Sequence, residues 1–155
     1  MKRAIFIETK LGKIGVAERD NAITNVFFGG TVRPEGYIEH ETPVLLEAAE
    51  QLNAYFAGTL REFTVPVLME GTAFQQKVWR ALTEIPYGET RSYGQLAQAI
   101  FGRSNAARAV GHANARNPIS IIVPCHRVIG AGGVLTGYAG GLAAKELLLK
   151  LEGAL

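Results

Sequence analysis

The apolar residues of this chain change their period once, and that change limits the folds open to it. The segments RAIFIET, GKIGVAER and AITNVFF between Arg3 and Phe28 alternate apolar and polar side chains, the period of a strand with two unlike faces. Leu11-Gly12 and Asp20-Asn21 are the turn signals between them, so this part reads as an antiparallel meander. From Thr42 the spacing becomes helical: Val44, Leu45, Ala48, Ala49, Leu52 and Phe56 share one face, Thr42 is the predicted N-cap, Pro43 opens the first turn and Gly58 stops the helix. FTVPV at 63–67 reads as an extended segment, kept to an edge by Pro66. Leu68 to Gly71 reads as a linker. The boundary drawn there gives one domain over residues 1–71 and a second over 72–155, and strands followed by helices make the class α+β.

The second domain is predicted to be mostly helical. Thr72-Ala73-Phe74-Gln75 is a capping-box pattern, with Phe74, Val78, Leu82 and Ile85 as one apolar face behind it and Pro86-Tyr87-Gly88 as its end. Ser92-Tyr93-Gly94-Gln95 is a second capping box, opening a short helix that runs to about Ile100 before Gly102 breaks the chain. Ser104 is the expected cap of a third helix ending near Ala115. Two short helices joined across a glycine read as a helix-turn-helix, with Arg108 in the first turns of the recognition helix. After Asn117-Pro118, ISIIV at 119–123 reads as a buried strand, and a last helix is expected from about Leu142 to Glu152. The glycine-rich stretches at 130–133 and 136–141 lack the spacing of a phosphate cradle.

Composition narrows the functional classes. With 48% hydrophobic and 19% charged residues in 155, the chain builds a core and is not a disordered protein. No run reaches the roughly 18 apolar residues of a membrane span, and Glu8 ends the first apolar run too early for a signal peptide, so a cytoplasmic protein is expected. The lone cysteine excludes an internal disulfide, and no Cys/His spacing suggests a structural metal. Charge is uneven. Residues 1–71 carry seven Lys/Arg and ten Asp/Glu, whereas residues 72–155 carry nine and four, an electrostatic footprint for nucleic acid on the half that holds the cysteine.

That cysteine, Cys125, follows the apolar run directly and has His126 and Arg127 beside it. A thiolate is the competent nucleophile, and a nearby base or cation produces one. Neighbours on an extended strand face opposite ways, so either the chain turns at Pro124 or a water relays the proton between Cys125 and His126. The imidazole needs an orienting carboxylate. Glu152 lies three and four residues after Leu149 and Leu148, on their apolar stripe, where a carboxylate requires a partner such as His126.

Phe74 to Glu152, about half of the chain, resembles the O6-alkylguanine-DNA alkyltransferases, the methylated-DNA–protein-cysteine methyltransferases. The stretches FQQKVWRAL, IPYGETRSYGQLA, AARAVG, ARNPISIIVPCHRVIG and TGYAGGLAAKELLLKLEG carry the likeness in the family's order, and NPISIIVPCHRV is its most specific part. The resemblance implies a small ribonuclease-H-like sheet-plus-helix domain in front of the helix-turn-helix domain. It implies Cys125 as alkyl acceptor, His126 and Glu152 as a water-bridged relay to its thiolate, and Asn117 as the brace between the recognition helix and the active-site loop. Tyr93 would crowd a backbone phosphate and turn the nucleotide out. Arg108 would fill the vacated place in the base stack; the small alanines Ala106, Ala107 and Ala109 allow the helix close to DNA, and Tyr93, Gly94, Ala107, Arg108 and Ala109 are the DNA-binding candidates. Tyr138 and Val128 would line the guanine pocket. Two departures stand out: the Tyr93–Arg108 segment is one residue longer than the family pattern, with Ser104 where proline is common, and His112 follows Gly111 where a small residue is usual.

The implied chemistry is consistent with these parts. An O6-alkyl carbon inside a duplex is reached only by flipping the base, and an inserted side chain offsets part of that cost. Sulfur displaces the alkyl group in line, and Tyr93 is the expected proton or hydrogen-bond donor to the leaving guanine. The thioether so formed has no activated bond for water to attack, so one turnover per molecule is expected, by a monomer, with no metal or cofactor and with alkylated double-stranded DNA as partner. The rival readings are a non-enzymatic alkylated-DNA damage-binding protein of the same fold, which replaces the acceptor cysteine, a helix-turn-helix module without chemistry, and a thiol hydrolase.

Overall fold

Three strands lead the chain, as the alternation predicts. β1 (Lys2–Thr9) turns at Lys10-Leu11 into β2 (Gly12–Arg19), and β2 turns at Asp20-Asn21 into β3 (Ala22–Phe27). Asp20 and Asn21 both take positive φ (55° and 64°), the conformation of a two-residue hairpin turn whose twist matches its strands. β4 (Tyr37–Glu39) adds in parallel to β1, giving the order β3-β2-β1-β4. The computed structural model describes residues 1–28 and 31–155. They divide into two units, Met1–Glu70 with Pro118–Ile122, and Gly71–Asn117 with Val123–Leu155.

In the first unit, Gly15 stands between Phe6 and Phe27 on neighbouring strands. The two rings meet edge to face at 5.9 Å, and a Cβ on Gly15 would come within 2.3 Å of the Phe27 ring, so the missing side chain makes room for the aromatic pair. α1 (Pro43–Phe56) packs on β1, β2 and β3 and buries Val44, Leu45, Ala48, Leu52, Tyr55 and Phe56. Its N-cap is Thr42, whose side chain accepts from the Leu45 N–H at 3.4 Å. The 63–67 segment meets β3 at a single bridge, Val67 with Ile23, where Pro66 supplies its carbonyl rather than the N–H it lacks.

The strand expected at 119–123 does not form. Pro118 O accepts from the Val26 N–H at 3.0 Å and the Ser120 N–H reaches Val26 O at 3.3 Å, so Ile119 makes one bridge to β3 of the first unit. The ladder then stops because Ile121 is at φ 72°, with the Ile122 N–H closing a three-residue turn on Ser120 O at 2.8 Å. A β-branched residue in the left-handed region is strained, and burial of Ile119 and Ile121 offsets that strain. These five residues, part of the second domain as drawn from sequence, pack with the first unit.

The second unit holds α2 (Ala73–Leu82), β5 (Arg91–Ser92), α3 (Tyr93–Phe101), α4 (Ala107–Ala115), β6 (Val128–Ile129) and α5 (Leu142–Leu151). Both predicted capping boxes are formed, Thr72 with Gln75 and Ser92 with Gln95. Gly102, left-handed at φ 71°, ends α3. Ser104 does not cap the next helix. It opens a 3-10 turn over Ser104–Ala106, and α4 starts at Ala107 without a side-chain cap. Val78, Leu82 and Ile85 are buried as expected, but Phe74 is 38% exposed and stacks on Phe101 at 5.1 Å. Trp79 takes the core place instead, its Nε1–H donating to Ala113 O at 2.8 Å, which ties α2 to α4. β5 and β6 pair in parallel and set Arg91 beside Val128, a contact that two-residue strands give no pattern to predict.

Candidate active site

The chain turns at Pro124. With φ −82° and ψ 65°, Pro124 makes a tight three-residue turn closed by the Cys125 N–H on Val123 O at 2.8 Å. A 3-10 turn over Cys125–Arg127 follows. At three residues per turn, neighbouring side chains are no longer forced to opposite faces, and Cys125, His126 and Arg127 are all buried. α2 and α5 both pack against this turn.

Glu152 caps the C-terminal end of α5, is 5% exposed, and gathers the neighbours of the cysteine. Its Oε2 lies 2.7 Å from His126 Nε2. Arg127 donates to the same carboxylate twice, from Nε to Oε1 at 2.9 Å and from Nη2 to Oε2 at 3.1 Å, and a third time from Nη1 to Ile85 O at 2.7 Å. A carboxylate paired in this way with a guanidinium is ionised and can only accept, so His126 Nε2 carries the proton and Nδ1 presents its lone pair. Nδ1 is buried and meets no protein hydrogen-bond partner among the described residues.

Asn117 is also buried, and its Nδ2 donates to Val123 O at 2.8 Å. Two further buried polar groups join the cluster. Asn114 of α4 donates to Cys125 O at 3.3 Å, and Lys145 of α5 donates from Nζ to Val128 O at 2.6 Å and Thr136 O at 3.2 Å. The hydroxyls of Thr136 and Tyr93 are 2.8 Å apart, which brings the first residue of α3 to the same loop.

Burial pushes the Cys125 thiol up, opposed by the Asn117 hydrogen bond and the Lys145 charge. Burial holds His126 below its ordinary value despite the attraction of Glu152, so the imidazole is a neutral base. Lys145 is likewise lowered by burial and raised in turn by the Cys125 charge. Burial thus opposes proton transfer from sulfur to imidazole, while the Asn117 hydrogen bond, the Lys145 charge and Glu152 favour it. Among the described residues, no group of three or more His, Cys, Asp or Glu could hold a metal, and no helix is long and apolar enough to cross a membrane.

The structure brings Cys125, His126, Glu152 and Asn117 into one buried cluster. Val128 is buried beside it, its carbonyl taken by Lys145. Arg108 and Ala109 lie on the exposed face of α4, Ala107 and Gly94 are half-buried, and Tyr138 is half-buried in the loop before α5. His112 is exposed. Sequence reasoning did not single out Arg127 as a partner of Glu152, nor Asn114 or Lys145. Lys145 had a visible signal, since it lies three and four residues before Leu148 and Leu149 on the very stripe that marked Glu152.

Comparison with known proteins agrees with this architecture. The family description "6-O-methylguanine DNA methyltransferase, DNA binding domain" matches residues 73–154, and "6-O-methylguanine DNA methyltransferase, ribonuclease-like domain" matches residues 2–69. This chain belongs to the 6-O-methylguanine DNA methyltransferase family. A methylated-DNA–protein-cysteine methyltransferase of Methanosarcina acetivorans is 54% identical over 99% of both chains, and the constitutive one of Bacillus subtilis is 48% identical over 94% of this chain and 92% of its own. A crystal structure of the Mycobacterium tuberculosis O6-methylguanine methyltransferase superposes with a TM-score of 0.89 at 48% identity, covering 99% of this chain and 94% of that one. Another from the same organism, described as in complex with DNA, gives 0.89 at 49%, covering 99% and 92%.

Proposed function

We propose that this protein repairs DNA directly, moving the alkyl group of an O6-alkylguanine, flipped from the duplex, to Cys125. The observation that carries this reading is the Pro124 turn, which puts the only sulfur nucleophile and a neutral, carboxylate-oriented imidazole into one buried turn. His126 Nδ1 takes the thiol proton through a water molecule, and Glu152 holds the tautomer that leaves Nδ1 free to do so. The thiolate attacks the alkyl carbon, an S–C bond forms, the C–O6 bond breaks and its electron pair stays on the base. A proton reaches the base with help from the Tyr93 hydroxyl, and guanine is restored. Asn117 keeps the loop at the sulfur, and Val128 and Tyr138 line the place of the base.

Arg108 enters the stack from the exposed face of α4, while Ala107, Ala109 and Gly94 leave room for the sugar-phosphate chain. Residues 72–155 form the working domain and residues 1–71 its scaffold. All the groups named lie on one chain, which supports a monomer as the acting unit, and an unpaired thiol suits the reducing cytoplasm. The thioether is not hydrolysed, so each molecule acts once.

The test is a duplex containing O6-methylguanine, with the nucleosides analysed after incubation. Recovery of guanine at one equivalent per protein, abolished in Cys125→Ala while lesion binding persists, is the expected result. Binding with no guanine recovered from the intact protein would instead make it a damage-binding protein.

A further inference from the structure

Lys145 is wholly buried, and the mechanism above gives it no task. Two of its three N–H donors are taken by the Val128 and Thr136 carbonyls, and no carboxylate lies within 4.0 Å of it among the described residues. A buried ammonium without a counter-ion is costly, and a fold that keeps one is expected to set an anion near it. The other buried cation beside the cysteine, Arg127, is already matched by Glu152. Among the buried ionisable groups of the second unit, Arg127 and Glu152 cancel and His126 is neutral, which leaves the Lys145 charge unbalanced. An ammonium at this position is matched when Cys125 is a thiolate, and each charge then favours the other.

We propose that Lys145 is the counter-charge that stabilises the Cys125 thiolate once its proton has left, a positioning residue that acts on the sulfur electrostatically while its own ammonium is held by the Val128 and Thr136 carbonyls. This rests on reading Cys125 as the alkyl acceptor. The mutual attraction of Lys145 and Cys125 supports it, as does the side chain's place on the same helical stripe as Glu152. One face of α5 then supplies both controls on the sulfur: Glu152 sets the base through His126, and Lys145 stabilises the anion the base produces. Transfer consumes that anion, because the thioether is neutral, and so leaves the ammonium without its partner.

The test is the pH dependence of Cys125 alkylation by iodoacetamide in the full-length protein, with Lys145→Met against the unchanged chain. Iodoacetamide needs neither DNA nor a flipped base, so this arm reports on the thiolate even if transfer from DNA fails. The expected result is a loss of about tenfold or more near neutral pH, with the midpoint of the alkylation profile moved to higher pH. A slower reaction whose midpoint stays at the same pH would reduce Lys145 to a brace between two carbonyls and overturn the proposal. Should Lys145→Met not fold, the side-chain amine of Lys145 is titrated by NMR in the unchanged protein and in Cys125→Ser. Removing the sulfur anion must lower the midpoint of the lysine, and an unmoved midpoint would likewise overturn the proposal.

Discussion

Glu152 accepts from His126 and twice from Arg127 inside a closed cluster, so its charge is felt by two neighbours at once. Replacing it by glutamine leaves the Arg127 guanidinium buried without an anion. Glu152→Gln is expected to cost about 3–5 kcal/mol in urea unfolding, and to abolish the oriented tautomer of His126. A variant as stable as the original would show that the pair is not a structural bond. His126 adds a pH dependence whose sign follows from burial. Its folded-state pKa lies below the ordinary 6.5, so as pH falls through that value the unfolded chain takes up a proton that the folded chain refuses. Stability is therefore lost on the acid side, from about pH 6.5 downwards, and urea midpoints that stay level between about pH 7 and pH 5 would contradict it. At this scale the sequence was informative where a residue broke its own pattern. Glu152 on an apolar stripe had to have a partner, whereas Arg127, charged and next to the cysteine, gave no sign that it was buried rather than solvated.

Three of the four expected helix caps were legible because their signals are local: Thr42, Thr72 with Gln75, and Ser92 with Gln95 each act within three residues, whereas Ser104 opens a 3-10 turn instead. The segment before the cysteine was not. Five apolar residues in a row describe a buried strand or any other buried segment equally well, and the left-handed turn at Ile121 is imposed by packing against β3, far away in sequence. Phe74 misled for a related reason, since helical spacing marks a face but not what covers it, and Trp79 took the core instead. α4 shows the division of labour within one element. Its buried side gives Val110, Ala113 and Asn114 to the unit, while Arg108 and Ala109 face outwards. On the proposed reading, Arg108→Ala slows transfer from duplex DNA by about tenfold or more, because the gap left by flipping is no longer filled, while transfer from the free O6-methylguanine base is unchanged. Equal losses on both substrates would move Arg108 from flipping to the chemistry itself.

For the molecule as a whole, the α+β class and the order of its parts followed from the single change of hydrophobic period, while the return of residues 118–122 to the first unit did not. That detour ends one residue before Val123, whose carbonyl receives both the Asn117 side chain and the Cys125 backbone N–H. The nucleophile's loop is thus pinned downstream by the Glu152 cluster, and the residues just before it belong to the first unit. Such a site suits a group that must be ready once and need not be regenerated. The most direct measurement is the intact mass of the protein after incubation with an excess of duplex carrying O6-methylguanine. One added methyl group, located by peptide mapping on Cys125 and constant however long the incubation, is the result predicted here. An unchanged mass, or demethylation that continues beyond one equivalent, would contradict it.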